Sequence, residues 1–190
     1  MVMPSSGPIS MAQAHAEYGL GYNLNAYYGC DVGVPTSGAI TLGHLYGKGY
    51  QPYRYWELMF DSLLPGNNVT PQLYELELHE AFGGVDITTP STPVWASYGT
   101  WYGSTASIVD NNTGTYWYQG QWSGDNRLGG TITLDLGTPR IIKEFALFYG
   151  SGCPGNFRVS VYNDNGYANR RTTSFSTGVW SGWKSFRMKP

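Results

Sequence analysis

Glu75 and Glu77 alternate with Tyr74, Leu76 and Leu78, so in an extended strand both carboxylates project from one side. Same-side neighbours stand roughly 7 Å apart, a spacing open to the paired-carboxylate chemistry of glycoside hydrolysis. Nothing around them supplies a cleft, so hydrolysis is not expected and the chain reads as a non-enzyme. His15, His44 and His79 are scattered, none at i, i+4 from another and none beside a nucleophile. Catalysis needs more mutual geometry than that, and solvated or core-edge histidines are expected. Cys30 and Cys153 are far apart and lack C-x-x-C spacing, which argues against zinc and for two buried free thiols.

Aromatic rings are the other chemistry-bearing group. Trp101 and Tyr102 lie between Gly99 and Gly103, and Trp122 between Gly120 and Gly124. Rings exposed on such Gly-rich loops stack on sugar faces, with Asn126 and Arg127 as polar groups that fix orientation. The same rings would alternatively pack under loops or against a neighbouring subunit. Trp56, Trp117, Phe145 and Phe148 read as core.

The elements that must hold these groups follow from composition. Of 190 residues, 26 are Gly, 11 Pro and 16 Tyr, and only 13% are charged, about half the usual share. Strands and loops are indicated rather than helices. Disorder is excluded by 41% hydrophobic residues with a net charge of -2. With 11 Lys and Arg against 13 Asp and Glu there is no basic surplus for nucleic acid. No run approaches the roughly 20 apolar residues of a membrane span. Met1 to Ser6 lead into Pro8 with neither basic residues nor an apolar run, so no secretory signal is expected.

Residues 1-49 differ in texture from the rest. Three short stretches open on a capping residue and close on Tyr-Gly: Ser10 to Gly19, Asn23 to Gly29 and Thr41 to Gly47. Ser, Asn and Thr accept from the free amides of a first helical turn, Gly takes the left-handed conformation that ends one, and Ser10 with Gln13 has capping-box spacing. Gly7-Pro8-Ile9-Ser10-Met11 is echoed in type by Gly38-Ala39-Ile40-Thr41-Leu42. Helices this short should not bury a core of their own, so the segment is expected to fold against the rest of the chain or another protein. From Tyr50 the pattern is strand-like. Tyr53 to Phe60, Leu73 to His79, Thr131 to Leu136, Ile141 to Tyr149, Phe157 to Val161 and Lys184 to Lys189 are the predicted strands, with Pro65-Gly66-Asn67-Asn68 a turn cluster. An all-β sandwich over residues 50-190 is the expected fold.

The run Ala106-Ser107-Ile108-Val109-Asp110-Asn111-Asn112-Thr113-Gly114-Thr115-Tyr116-Trp117, followed by Thr131 to Gly137 ending Asp-Leu-Gly, resembles the discoidin (coagulation factor type C) and carbohydrate-binding sandwich family. Asn111 stands where that family has Gly, a position that often needs positive φ, which Asn tolerates. Tyr55 to Phe60 and Tyr74 to Leu78 look like the strand pair that closes the family's sandwich, here placed first, as in a circular permutation. The resemblance implies a structural Ca²⁺ held by Glu75, Asp110, Asn112 and Thr115, all hard oxygen donors. The alternative is that Asp110 only caps its own turn.

Gly7 to Met11, Val34 to Leu42 and the phrase Leu45-Tyr46-Gly47-Lys48 are similar to a short module at the start of tailed-bacteriophage virion proteins. That likeness implies that residues 1-49 dock on the particle through Ile9, Met11, Tyr28, Ile40, Leu42, Leu45 and Tyr46. The expected protein is a multi-copy structural component of the tail, baseplate or fibre region, made in the host cytoplasm. It would contact other virion proteins and display a sandwich for host-surface glycan. The alternative is a purely architectural adaptor without a sugar site.

Overall fold

Period-two patterning builds the first long strand, β1 (Tyr53–Leu63), in which Trp56, Leu58 and Phe60 are fully buried while Tyr55 and Met59 face away from the core. The computed structural model describes residues 2–31, 34–63, 72–97, 100–119, 130–150, 154–164, 170–177, 181–188 and 190. Among the described residues nine further strands follow: β2 (Gln72–His79), β3 (Val94–Ala96), β4 (Thr100–Tyr102), β5 (Trp117–Gln119), β6 (Thr131–Arg140), β7 (Glu144–Tyr149), β8 (Pro154–Tyr162), β9 (Arg171–Ser176) and β10 (Gly182–Arg187). They form two antiparallel five-stranded sheets, ordered β3-β6-β1-β8-β9 and β10-β7-β2-β5-β4. Ile132 and Leu134 of β6, Phe157 and Val159 of β8, and Leu76, Leu78, Phe145 and Leu147 of the second sheet meet between them with no exposure. This is the β-sandwich that the alternating runs predict.

Three expectations about the strands need correction. β1 and β2, the predicted closing pair, do not bond to each other; each takes the centre of its own sheet. Phe148 is not core. β7 alternates regularly, with Phe145, Leu147 and Tyr149 fully buried, so Phe148 faces the other way and joins Tyr74, 5.8 Å away, and the 45% exposed Trp183, 5.3 Å away, on the outer face. Trp101 and Tyr102 belong by their backbone to an edge strand, β4, rather than a glycine loop. The Pro65–Asn68 cluster and Cys153 lie outside the described residues. Cys30 is a free, half-buried thiol, pushed up to about 11 by burial and then by Asp31, so it holds almost no thiolate at neutral pH.

The N-terminal stretches fold as their caps dictate. The helix α1 (Met11–Tyr18) opens on a Ser10–Gln13 capping box, and 3₁₀ turns span Leu24–Tyr27 and Leu42–Leu45. Gly19, Gly29 and Gly47 follow them with positive φ, as the Tyr-Gly endings predict. Contrary to expectation, the segment does bury a small core of its own, from Met3, Ala14, Tyr18, Tyr27, Val34 and Leu45. No single turn has enough apolar surface, but three pooled turns do. The echoed pairs Ile9-Met11 and Ile40-Leu42 both pack against it.

The segment also docks on its own sandwich. Lys143, between β6 and β7, sends its ammonium to the C-terminal end of α1, donating to the Glu17 carbonyl (2.8 Å) and to Glu17 Oε2 (3.1 Å). A cation at a helix C-terminus complements the helix dipole. Glu17 Oε1 accepts from the Tyr50 amide (2.8 Å), and the Tyr50 hydroxyl donates to the Met188 carbonyl (2.8 Å). Both charges are buried, at 9% and 1% side-chain exposure.

Candidate functional site

The Asp110 loop forms first as a local structure. Asp110 Oδ1 accepts from the Asn112 amide (3.0 Å), Thr115 Oγ1 donates to Asp110 Oδ2 (2.8 Å), and Asn112 Oδ1 accepts from the Gly114 amide (3.0 Å). Asn111 between them has φ 58, the left-handed conformation that the departure from Gly must tolerate. Directly after the loop, Trp117 is buried in the main core and its Nε1 donates to Thr100 Oγ1 of β4 (3.1 Å). The loop is thereby tied to the core at one end and to the edge strand at the other.

Tertiary structure then brings β2 to this loop. Glu75, 1% exposed, accepts through Oε2 from the Asn112 amide (2.9 Å), the same amide that Asp110 takes. All four residues predicted to hold a cation are thus together. Burial first, and the nearby Asp110 and Asp86 charges after it, raise the Glu75 carboxyl to about 7, against the lowering by its two backbone donors. Both earlier alternatives for Asp110 are compatible with this geometry: it does cap its own turn, and it also shares a centre with a second carboxylate.

The donor set fits a hard divalent ion: two carboxylates, the Asn112 carbonyl and the Thr115 hydroxyl 2.9 Å from it, all oxygen. Among the described residues no three His, Cys, Asp or Glu side chains gather as around a metal. Any cation here would therefore rely on carbonyl, hydroxyl and water oxygens for the rest of its shell.

The raised Glu75 value has a pH consequence. The unfolded chain ionises this carboxyl near 4.3, whereas the folded chain holds the proton to about 7. The stabilisation is complete below the unfolded value and is lost as pH rises through the folded one. Without divalent ions, the wild type should therefore lose on the order of 2–3 kcal/mol between pH 4.5 and pH 8 from this group. Glu75→Gln should remove that slope and raise the melting temperature at pH 8 by roughly 5–10 °C. Equal pH slopes for the two proteins in thermal melts would rule out Glu75 as the source.

Glu75 and Glu77 make separate contacts. Glu77 instead contacts His79 Nε2 (3.2 Å), while Glu144 lies 3.4 Å from His79 Nδ1, so the buried imidazole sits between two carboxylates. His44 accepts the Thr41 amide at its 3₁₀ turn (3.0 Å). Of the sugar-contact candidates, Trp122, Asn126 and Arg127 and the side chains of Trp101 and Tyr102 lie outside the described residues. Of the docking candidates, Leu45 is fully buried and Ile9, Met11, Ile40 and Leu42 are half-buried in the segment's own core. Tyr28 and Tyr46 donate their hydroxyls to Gly38 and Gly7 carbonyls, with Tyr46 still 38% exposed.

Sequence reasoning missed a ring cluster on the outer face of the first sheet. Tyr55 stacks on Tyr162 (5.2 Å between centroids) and meets the edge of Trp95 (6.3 Å), which is 45% exposed. The signal was present in Tyr55-Trp56: two neighbouring aromatics in one strand cannot both face the core. Trp95 had no comparable signal. Comparison with protein-family models, with curated proteins and with solved structures finds no match to this chain.

Proposed function

We propose that the chain is a structural, non-catalytic component of a tailed-phage particle. Residues 1-49 seat it against other virion proteins, and a permuted discoidin-like sandwich is displayed for weak binding of host-surface glycan. Many copies on one particle turn weak single sites into effective attachment. The observation that carries the reading is the meeting of Glu75 with the Asp110 loop, bonded across 37 positions of sequence. That contact follows from the family likeness and from nothing in local patterning. The same residues, Glu75, Asp110, Asn112 and Thr115, would hold a structural Ca²⁺, whose charge would neutralise the two carboxylates and pin the loop to β2.

For docking, the support is the separate small core together with what it leaves outside. Tyr22 is 66% exposed and Tyr46 and Val2 more than a third, on a chain with little charge to keep such groups apart from a partner. The direct test is protein mass spectrometry of purified particles from the phage whose genome encodes the chain. The expected result is the full-length protein in the particle band in multiple copies, reduced several-fold by Tyr22→Asp. Finding the chain only in the soluble lysate would end the virion reading. Incorporation without binding to any polysaccharide would favour the adaptor alternative.

A further inference from the structure

The outer face of the first sheet carries a constellation that the loop-borne candidates do not include. Tyr55 of β1 is in register with Asp135 of β6 on one side and Tyr162 of β8 on the other, and Trp95 of β3 lies opposite Thr133 of β6. The β1–β6 register shifts between Tyr53 and Tyr55, at Arg54. From there the Arg54 guanidinium reaches over the Tyr55 ring, 5.1 Å from its centroid, and grips Asp135 with two bonds, Nε to Oδ1 (2.7 Å) and a terminal nitrogen to Oδ2 (2.6 Å). Arg170 does the same kind of work on the other flank, paired with Glu57 and lying over Tyr162. Tyr55 and Tyr162 are thus each flanked by a guanidinium that is paired with a carboxylate, and the charges beside them are neutralised in place.

This ring face continues into a cleft. Asp135 also lines a cavity of about 240 Å³ walled by Thr89, Ser91 and Thr92 and by Arg140, which pairs with Glu80 (3.3 Å). That volume is below the roughly 300–1,000 Å³ of sites for drug-sized ligands, and it suits one sugar ring. An exposed indole edge-on to a tyrosine offers apolar area of the kind that covers the C–H face of a hexose. Hydroxyls and a fixed carboxylate offer the donors and acceptors that its O–H groups need. Because the nearby charges are paired with one another, the face favours an uncharged ligand over an acidic or basic one.

We propose that this edge of the first sheet is a binding site for a neutral oligosaccharide, one unit lying on Trp95 and Tyr55 and the next in the Thr89–Arg140 cleft. It rests on the glycan-binding reading above but assigns that binding to a sheet face rather than to the loops of Trp101 and Trp122. The experiment is affinity electrophoresis of the full-length protein in native gels containing dextran, galactan, mannan or neutral O-antigen polysaccharide. Wild type, Trp95→Ala, Ser91→Tyr and Trp122→Ala are run side by side, and far-UV circular dichroism checks that each is folded. Trp95 is half-exposed and Ser91 is exposed, so both sites tolerate change without loss of core. The expected result is retardation of wild type by at least one polysaccharide, weakened about tenfold or more by Trp95→Ala and by Ser91→Tyr, and retained by Trp122→Ala. Loss with Trp122→Ala and retention with Trp95→Ala would overturn this site and leave glycan binding standing on the loops. No retardation of wild type by any of the four would overturn the site and the glycan reading together.

Discussion

Lys143→Ala is expected to cost about 3–5 kcal/mol, because it leaves the Glu17 carboxylate buried without its ammonium. The effect belongs to tertiary packing and not to the helix, since Lys143 reaches α1 from a different part of the chain. Lys143 also lies 5.3 Å from the Tyr50 ring centroid and 5.9 Å from that of Phe82, so truncation removes cation–π contacts and side-chain packing as well. In thermal unfolding the midpoint should fall by roughly 6–20 °C for a chain of this length. Amide exchange should speed up first in α1 and the two 3₁₀ turns, because the small core keeps little area without its seat on the sandwich. The double variant Glu17→Gln/Lys143→Met should recover most of the loss, because it removes both charges rather than orphaning one. A single variant melting within about 2 °C of wild type would mean that the pair is not buried in solution.

Gly103→Ala is the second large effect. Gly103 has φ 79, and a Cβ built there would sit 1.9 Å from the Tyr116 carbonyl oxygen, a backbone atom that cannot swing aside. Relief requires β4 to part from β5, breaking the Thr100–Gln119 and Tyr102–Tyr118 pairing and pulling on the Trp117–Thr100 bond. The left-handed conformation alone costs an alanine about 1–3 kcal/mol, and the clash adds to it, so a loss of roughly 3 kcal/mol or more is expected. Gly38, at φ 83 with nothing within 4 Å of a built Cβ, isolates the conformational part. Gly38→Ala should cost about 1 kcal/mol. Chemical denaturation of both variants measures the difference; equal losses would mean that the strand edge relaxes freely around residue 103.

These two residues also mark how far the sequence could be read. Local chemistry was legible wherever a few neighbouring residues decide the outcome. Ser10 with Gln13 forms its capping box, Gly19 ends α1, and Asn111 takes positive φ. Alternation in β1, β6 and β8 puts Trp56, Leu134 and Val159 inside. Short strands were invisible: β3, β4 and β5 have three residues each, too few for any period to show. β3 and β5 are strands because longer neighbours, β6 and β2, offer them a ladder, and β4 in turn pairs with β5.

By itself, then, the sequence determined the β class, the caps and turns, the inner faces of the long strands and the self-contained Asp110 turn, because each depends on contacts within a few residues. Only the tertiary structure decided where these pieces meet. It placed β1 and β2 in opposite sheets, set Lys143 on Glu17, and brought Glu75 to Asn112. It also assembled Tyr55, Trp95, Asp135 and Tyr162 from four strands into one outer face. Such arrangements depend on sheet order and register across long separations. A one-residue shift of register reverses every face, and no local pattern carries that information.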